Sequence, residues 1–173
     1  MKRIVLAVGA AALVGGIGVS ALTLGAAEPP AAPAQSAAAE MPAVIISSKD
    51  VKWGPAPPGL PPGSQLAVMF GDPAKAAFVS LRAKMPAGYK VPPHSHPTDE
   101  HVTVLSGALT LGMGDKEDAK TAKTYKAGGY LTARAKMNHY AIATVETVIQ
   151  IDLIGPFDIT YVNPADDPRN KGK

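Results

Sequence analysis

From about residue 64 the chain alternates apolar and polar side chains in short runs, each cut off by glycine, proline or an acidic pair. In 147–154, Ile149, Ile151 and Leu153 alternate with Gln150 and Asp152, which puts an apolar face and a polar face on one extended strand. Similar runs lie at 66–70, 77–85, 102–106, 108–113, 130–133 and 139–144, with 157–162 as a further candidate. Pro86-Ala87-Gly88, Gly107, Gly128-Gly129 and Val145-Glu146 separate them. Residues 44–46 read as a first short strand, and only 115–123 suits a turn of helix. Many short strands without sustained helical periodicity predict an all-β barrel or sandwich.

The N-terminal part has a different pattern. Lys2 and Arg3 precede an apolar run over 4–24, and Gly25-Ala26-Ala27 supplies the small residues a signal peptidase reads. Residues 1–27 are therefore expected to be a cleaved signal peptide, placing the mature protein in the periplasm or outside the cell. The run is also long enough for a retained membrane anchor, the competing reading. Gly9, Gly15, Gly16 and Gly18 weaken its hydrophobicity and favour cleavage. Only Lys2-Arg3 stands where a twin arginine would, so export as an unfolded chain is expected.

Residues 28–63 form an Ala/Pro-rich linker and arm. Its last part, GPAPPGLPPG, carries too many prolines for a helix or an inner strand. It reads either as an arm toward a partner subunit or as a loop packed on its own domain. The barrel domain is expected over 64–162, with a C-terminal tail at 163–173.

The formal charge of +3 falls to about +1 once Lys2 and Arg3 leave with the leader. That gives no electrostatic basis for nucleic acid, or for an anionic membrane after cleavage. The absence of cysteine excludes disulfides, thiolate ligands and thiol catalysis.

Candidate chemistry concentrates at Gly88-x5-His94-x-His96-x3-Glu100-x6-Gly107. Residues two apart on a strand share a face, so His94 and His96 project together. Pro92, Pro93 and Pro97 stiffen their backbone, and Glu100 begins the next strand facing the same point. Nitrogen and oxygen ligands of this kind suit one divalent transition metal: Mn, Fe, Co, Ni, Cu or catalytic Zn.

This run resembles the first motif of the cupin superfamily at every fixed position, and 64–162 resembles a single-domain cupin. The resemblance implies a small jelly-roll barrel, a double-stranded β-helix. Of the second cupin motif, Gly128 and His139 stand at the matching spacing, with Arg134 and Lys136 where the family has proline and glycine. The resemblance implies that His94, His96, Glu100 and His139 surround one divalent metal. His101 follows Glu100 directly and is expected on the opposite face.

Four protein ligands on an octahedral ion leave two positions for water, dioxygen or a bidentate substrate. The leading expectation is an exported metal-dependent oxidoreductase of dioxygenase type acting on a small organic molecule. Decarboxylase or isomerase chemistry would use the same ligands, and a non-catalytic ligand-binding or sensing cupin is the other class. Catalysis needs a proton-transfer group near the ion. Asp152 and Tyr140 are the catalytic candidates, beside Tyr130 and Glu100, with Gln150 orienting a substrate if that strand face points inward. A homodimer through jelly-roll edges is a further expectation.

Overall fold

The computed structural model describes residues 43–171. The expected signal peptide and the linker up to residue 42 lie outside the described residues. Eleven strands follow in order: β1 Gly54–Pro55, β2 Gln65–Phe70, β3 Phe78–Met85, β4 Lys90–Ser95, β5 Glu100–Ser106, β6 Ala108–Met113, β7 Lys123–Lys126, β8 Tyr130–Ala133, β9 His139–Ala143, β10 Thr147–Ile154 and β11 Thr160–Tyr161. Among the described residues, helix is confined to three single turns of 3-10 type. The all-β expectation holds.

The strands form two antiparallel sheets. One has the order β1-β2-β3-β10-β5-β8, the other β11-β4-β9-β6-β7. This is a jelly-roll double-stranded β-helix, and its core lies between the sheets. Period-two alternation builds that core: Val79, Leu81, Ala83 and Met85 of β3 are buried, as are Ile149, Ile151 and Leu153 of β10 and Leu109 and Leu111 of β6. Each fully buried Val, Leu or Ile contributes about 1.5–3 kcal/mol. The alternation of β10 also shows which of its faces is inner, because the isoleucines and Leu153 take that side.

Two local expectations are corrected. Residues 44–46 form no strand; Ile45 is 90% exposed and the segment enters no ladder. Residues 115–123 form no helix. The amides of Thr121 and Ala122 instead turn onto the Asp118 carbonyl. The chain then enters β7, an edge strand of sequence KTYK whose mostly polar character hid it from the hydrophobic pattern.

The proline-rich segment packs on its own domain. Gly54 and Pro55 pair with Leu66 and Gln65 of β2, and Leu60 packs against the core. The folded unit thus includes residues upstream of 64. Gly88 and Gly107 both adopt positive φ, at +80° and +78°. A Cβ on Gly107 would also stand 2.2 Å from the Glu146 carbonyl oxygen, so both backbone conformation and space require glycine there.

Candidate metal centre

Three inner strand faces converge at one end of the barrel. On β5, Glu100, Val102 and Val104 share the buried side, so simple alternation carries a carboxylate into the core. On β9, His139 shares its face with Ala141 and Ala143. β4 is less regular: Val91 and His94 are both buried although three residues apart, and the pairing with β9 slips between them. Pro92 and Pro93 occupy the slip, where missing N–H groups leave the ladder unable to continue. The irregularity turns His94 inward directly opposite His139. His96 lies just beyond β4, where its carbonyl accepts the Lys136 amide at 2.8 Å.

Lys136 occupies the position where the cupin resemblance expects glycine. It adopts φ +61°, the left-handed region that favours glycine. The turn before His139 therefore keeps its shape at a backbone cost of about 1–2 kcal/mol.

Each of the three clustered imidazoles is oriented by a backbone carbonyl. His94 Nδ1 lies 2.7 Å from Pro92 O, His96 Nδ1 lies 2.7 Å from Asp158 O, and His139 Nδ1 lies 3.0 Å from Met137 O. These contacts place the proton on Nδ1 and leave each Nε2 lone pair free for a metal. One nitrogen from each ring lies within 4.8 Å of the others. Glu100 Oε2 stands 3.6 Å from Nε2 of both His96 and His139. Ligand atoms about 2.1 Å from a common ion are about 3.0 Å apart at right angles and about 4.2 Å apart when opposite. The two Glu100 contacts fall within that range, and the three buried histidines form a cluster that could hold a metal ion.

Electrostatics divide the four groups. Burial pushes the His94 imidazole down to about 3, and the neighbouring His139 and His96 act in the same direction. Burial alone would raise the Glu100 carboxyl, but the adjacent His139 and the other imidazoles outweigh it and hold Glu100 below its ordinary value. Burial opposes charge on His139 too, yet Glu100 beside it raises that imidazole. His94 is thus prepared as a neutral donor and Glu100 as an anion.

The four side chains open onto an internal cavity of about 60 Å3, room for a few water molecules. Its other walls are apolar except for Ser64 and Tyr89. Those two are mutually engaged: Ser64 Oγ donates to the Tyr89 hydroxyl at 2.9 Å, which donates to Pro61 O at 2.6 Å.

The structure does not bring the two candidate proton-transfer residues to this cavity. Asp152 alternates with the inward-facing Ile151 and Leu153 and stands on the outer face, where its carboxylate accepts the Gln150 amide at 3.2 Å. Gln150 shares that outer face and accepts from Arg82. Tyr140 is buried, but on the other side of β9 from His139. Its hydroxyl accepts from the Asp118 amide at 2.8 Å and donates to the Asp118 carbonyl at 2.9 Å. Its ring occupies the space a side chain on Gly112 would need. His101 is on the outer face as expected, 2.6 Å from the exposed Tyr130 hydroxyl. Sequence reasoning missed Leu60, Tyr89 and Phe157 as cavity walls. They come from a proline-rich segment and two connections, where no periodicity marks an inward side.

No curated protein matches the sequence. Solved structures match the fold at low identity. The polyketide cyclase RemF from Streptomyces resistomycificus aligns with TM-score 0.59 and 18% identity, over 72% of this chain and 88% of that one. A candidate acetylacetone dioxygenase from Methylibium petroleiphilum PM1 gives 0.57 and 19%, over 75% and 87%. The DMSP lyase DddQ from Ruegeria pomeroyi DSS-3 gives 0.52 and 16%, over 64% and 60%. These likenesses concern the fold, a cupin barrel that carries several chemistries. The family described as "Domain of unknown function (DUF4437)" matches residues 27–160, most of the chain, and the protein belongs to that family of cupin-like domains.

Proposed function

We propose that the protein is an exported metal-dependent cupin that holds one divalent transition metal through His94, His96, His139 and Glu100 and binds a small organic molecule beside it. The single observation that supports this most is the orientation of the three imidazoles, each tied through Nδ1 to a carbonyl so that Nε2 faces the others and Glu100. A divalent metal in a nitrogen- and oxygen-ligated set supplies Lewis acidity and, where it is redox-active, reaction with dioxygen. The chain contributes a buried carboxylate, three prepared donors and a largely apolar wall.

The leading reading is an oxidoreductase of dioxygenase type, and decarboxylation or isomerisation would use the same four residues. Any of these needs a group to move protons; Ser64 and Tyr89 are bonded to each other and burial raises the Tyr89 phenol, which leaves Glu100 as the carboxylate lining the cavity. Non-catalytic capture of a ligand at the metal is the second reading, favoured by the same scarcity of proton-transfer groups. In both, the leader at 1–27 delivers the protein to the periplasm or exterior, where copper and zinc compete strongly for such sites.

Elemental analysis of protein purified from its native compartment tests the metal reading. One equivalent of transition metal, lost in His94→Ala, is the expected result; equal metal content in parent and variant refutes it. Oxygen uptake with small phenolic and carboxylic compounds then separates the enzyme from the binding protein.

A further inference from the structure

A second hollow of about 240 Å3 lies on the barrel surface, bounded by Pro57, Pro58, Gly59 and Arg169. It shares two side chains with the internal cavity, Leu60 and Phe157. Those two side chains therefore line both the solvent-facing groove and the hollow that holds the histidine cluster. Both are half-buried, and neither belongs to a strand.

The backbone around Leu60 is held on both sides. Tyr161 donates its hydroxyl to the Gly59 carbonyl at 2.9 Å, and Tyr89 donates to the Pro61 carbonyl at 2.6 Å. The Leu60 amide closes a turn onto Pro57 O at 2.9 Å. Proline on both flanks of this loop limits its backbone further. Phe157 is held by stacking on His96, with centroids 5.5 Å apart and planes 26° apart. The next residue, Asp158, supplies the carbonyl that orients His96. Arg169 of the C-terminal tail donates to the Ile159 carbonyl at 2.8 Å and reaches Asp158 at 3.3 Å, pinning the same segment.

We infer that Leu60 and Phe157 form the size-selecting portal of the metal cavity, admitting from the outer groove compact ligands with one oxygen-bearing end and a short apolar body. This inference rests on the proposed metal reading. The volume of about 60 Å3 beside the histidines accommodates a few heavy atoms. The apolar wall rewards a hydrocarbon body, while the oxygen end meets the metal set. Leu60 is the specificity-determining residue of the pair, an aliphatic side chain lining both hollows. Phe157 is a positioning residue as well, through its stacking on His96.

The test uses the mature protein loaded with cobalt(II), whose visible spectrum reports the coordination set. Sodium formate, acetate, butyrate and hexanoate are titrated in turn. In the parent protein the short carboxylates are expected to shift the spectrum and hexanoate to leave it unchanged. Leu60→Ala moves the cut-off to longer chains by at least tenfold in apparent affinity for hexanoate, and Leu60→Phe moves it the other way, weakening acetate. A role of Leu60 in stability alone would not move the cut-off in opposite directions. Bound cobalt with the same cut-off in all three proteins overturns the portal, as does a parent that accepts hexanoate as readily as acetate. A protein that takes up no cobalt overturns the metal reading itself, and the portal falls with it.

Discussion

His94 is 4% exposed. Burial holds its imidazole down at about 3, against an ordinary value of 6.5. A histidine depressed in the folded state contributes stability that is complete above its unfolded value and is lost as pH falls toward its folded value. At pH 5 an unfolded chain has protonated His94 and the folded barrel has not. Each pH unit below about 6.5 therefore costs about 1.4 kcal/mol, and the metal-free protein should lose roughly 2 kcal/mol from this residue between pH 8 and pH 5. His139 has the opposite sign. Its imidazole is raised by Glu100, so its contribution is present below the unfolded value and is lost as pH rises. Glu100 is lowered, and its contribution persists until pH drops below the usual carboxylate range. Comparison with His94→Gln reports the contribution of His94 together with its coupling to those two groups. Urea unfolding of chelator-treated protein, followed by far-UV circular dichroism at pH 8 and pH 5, should show the parent losing roughly 2 kcal/mol more than the variant. Equal losses would refute the claim that burial keeps this imidazole neutral. Metal adds to the parent's dependence, since bound ligands must be unprotonated and acid releases the ion.

Glu100→Gln removes the one anionic donor and should weaken metal binding by more than the roughly 10–100-fold typical of a lost outer partner, measured by competition with a chromophoric chelator. Asp152→Asn, on the outer face, should leave metal content and ligand-induced spectra unchanged; a changed spectrum would bring Asp152 back to the site. Tyr140→Phe loses two hydrogen bonds to Asp118 and should cost about 1 kcal/mol in thermal unfolding without altering metal affinity. Lys136→Gly relieves about 1–2 kcal/mol of left-handed backbone cost against about 0.4–1 kcal/mol of added unfolded-chain freedom. A slight rise in melting temperature is expected, and a fall would count against strain in that turn.

The strands were legible because a half-buried sheet imposes a period of two on its own sequence. β6, β8 and β10 begin and end where the apolar alternation does. The motif from Gly88 to Gly107 likewise announced the inward carboxylate, since glutamate in phase with Val102 and Val104 must share their buried face. His139 was legible only through the cupin resemblance, because nothing local in Asn138-His139-Tyr140 distinguishes a ligand from a core histidine.

Tertiary structure decided the rest. Alternation told that Gln150 and Asp152 oppose Ile149 and Ile151, but an amphipathic strand does not state which face is the lumen; packing of the two sheets settled it by burying the isoleucines in the shared core. Tyr140 became structural because the loop after β6 folds over it and supplies a backbone partner. Strict alternation would have turned His94 away from Val91's side, and only the proline-broken ladder against β9 rotated it inward. The cavity's outer wall came from Leu60 and Phe157, nearly a hundred residues apart in irregular backbone. Contacts of that kind leave no periodic trace in a sequence, because they are set by long-range hydrogen bonds from Tyr89 and Tyr161 rather than by neighbouring residues.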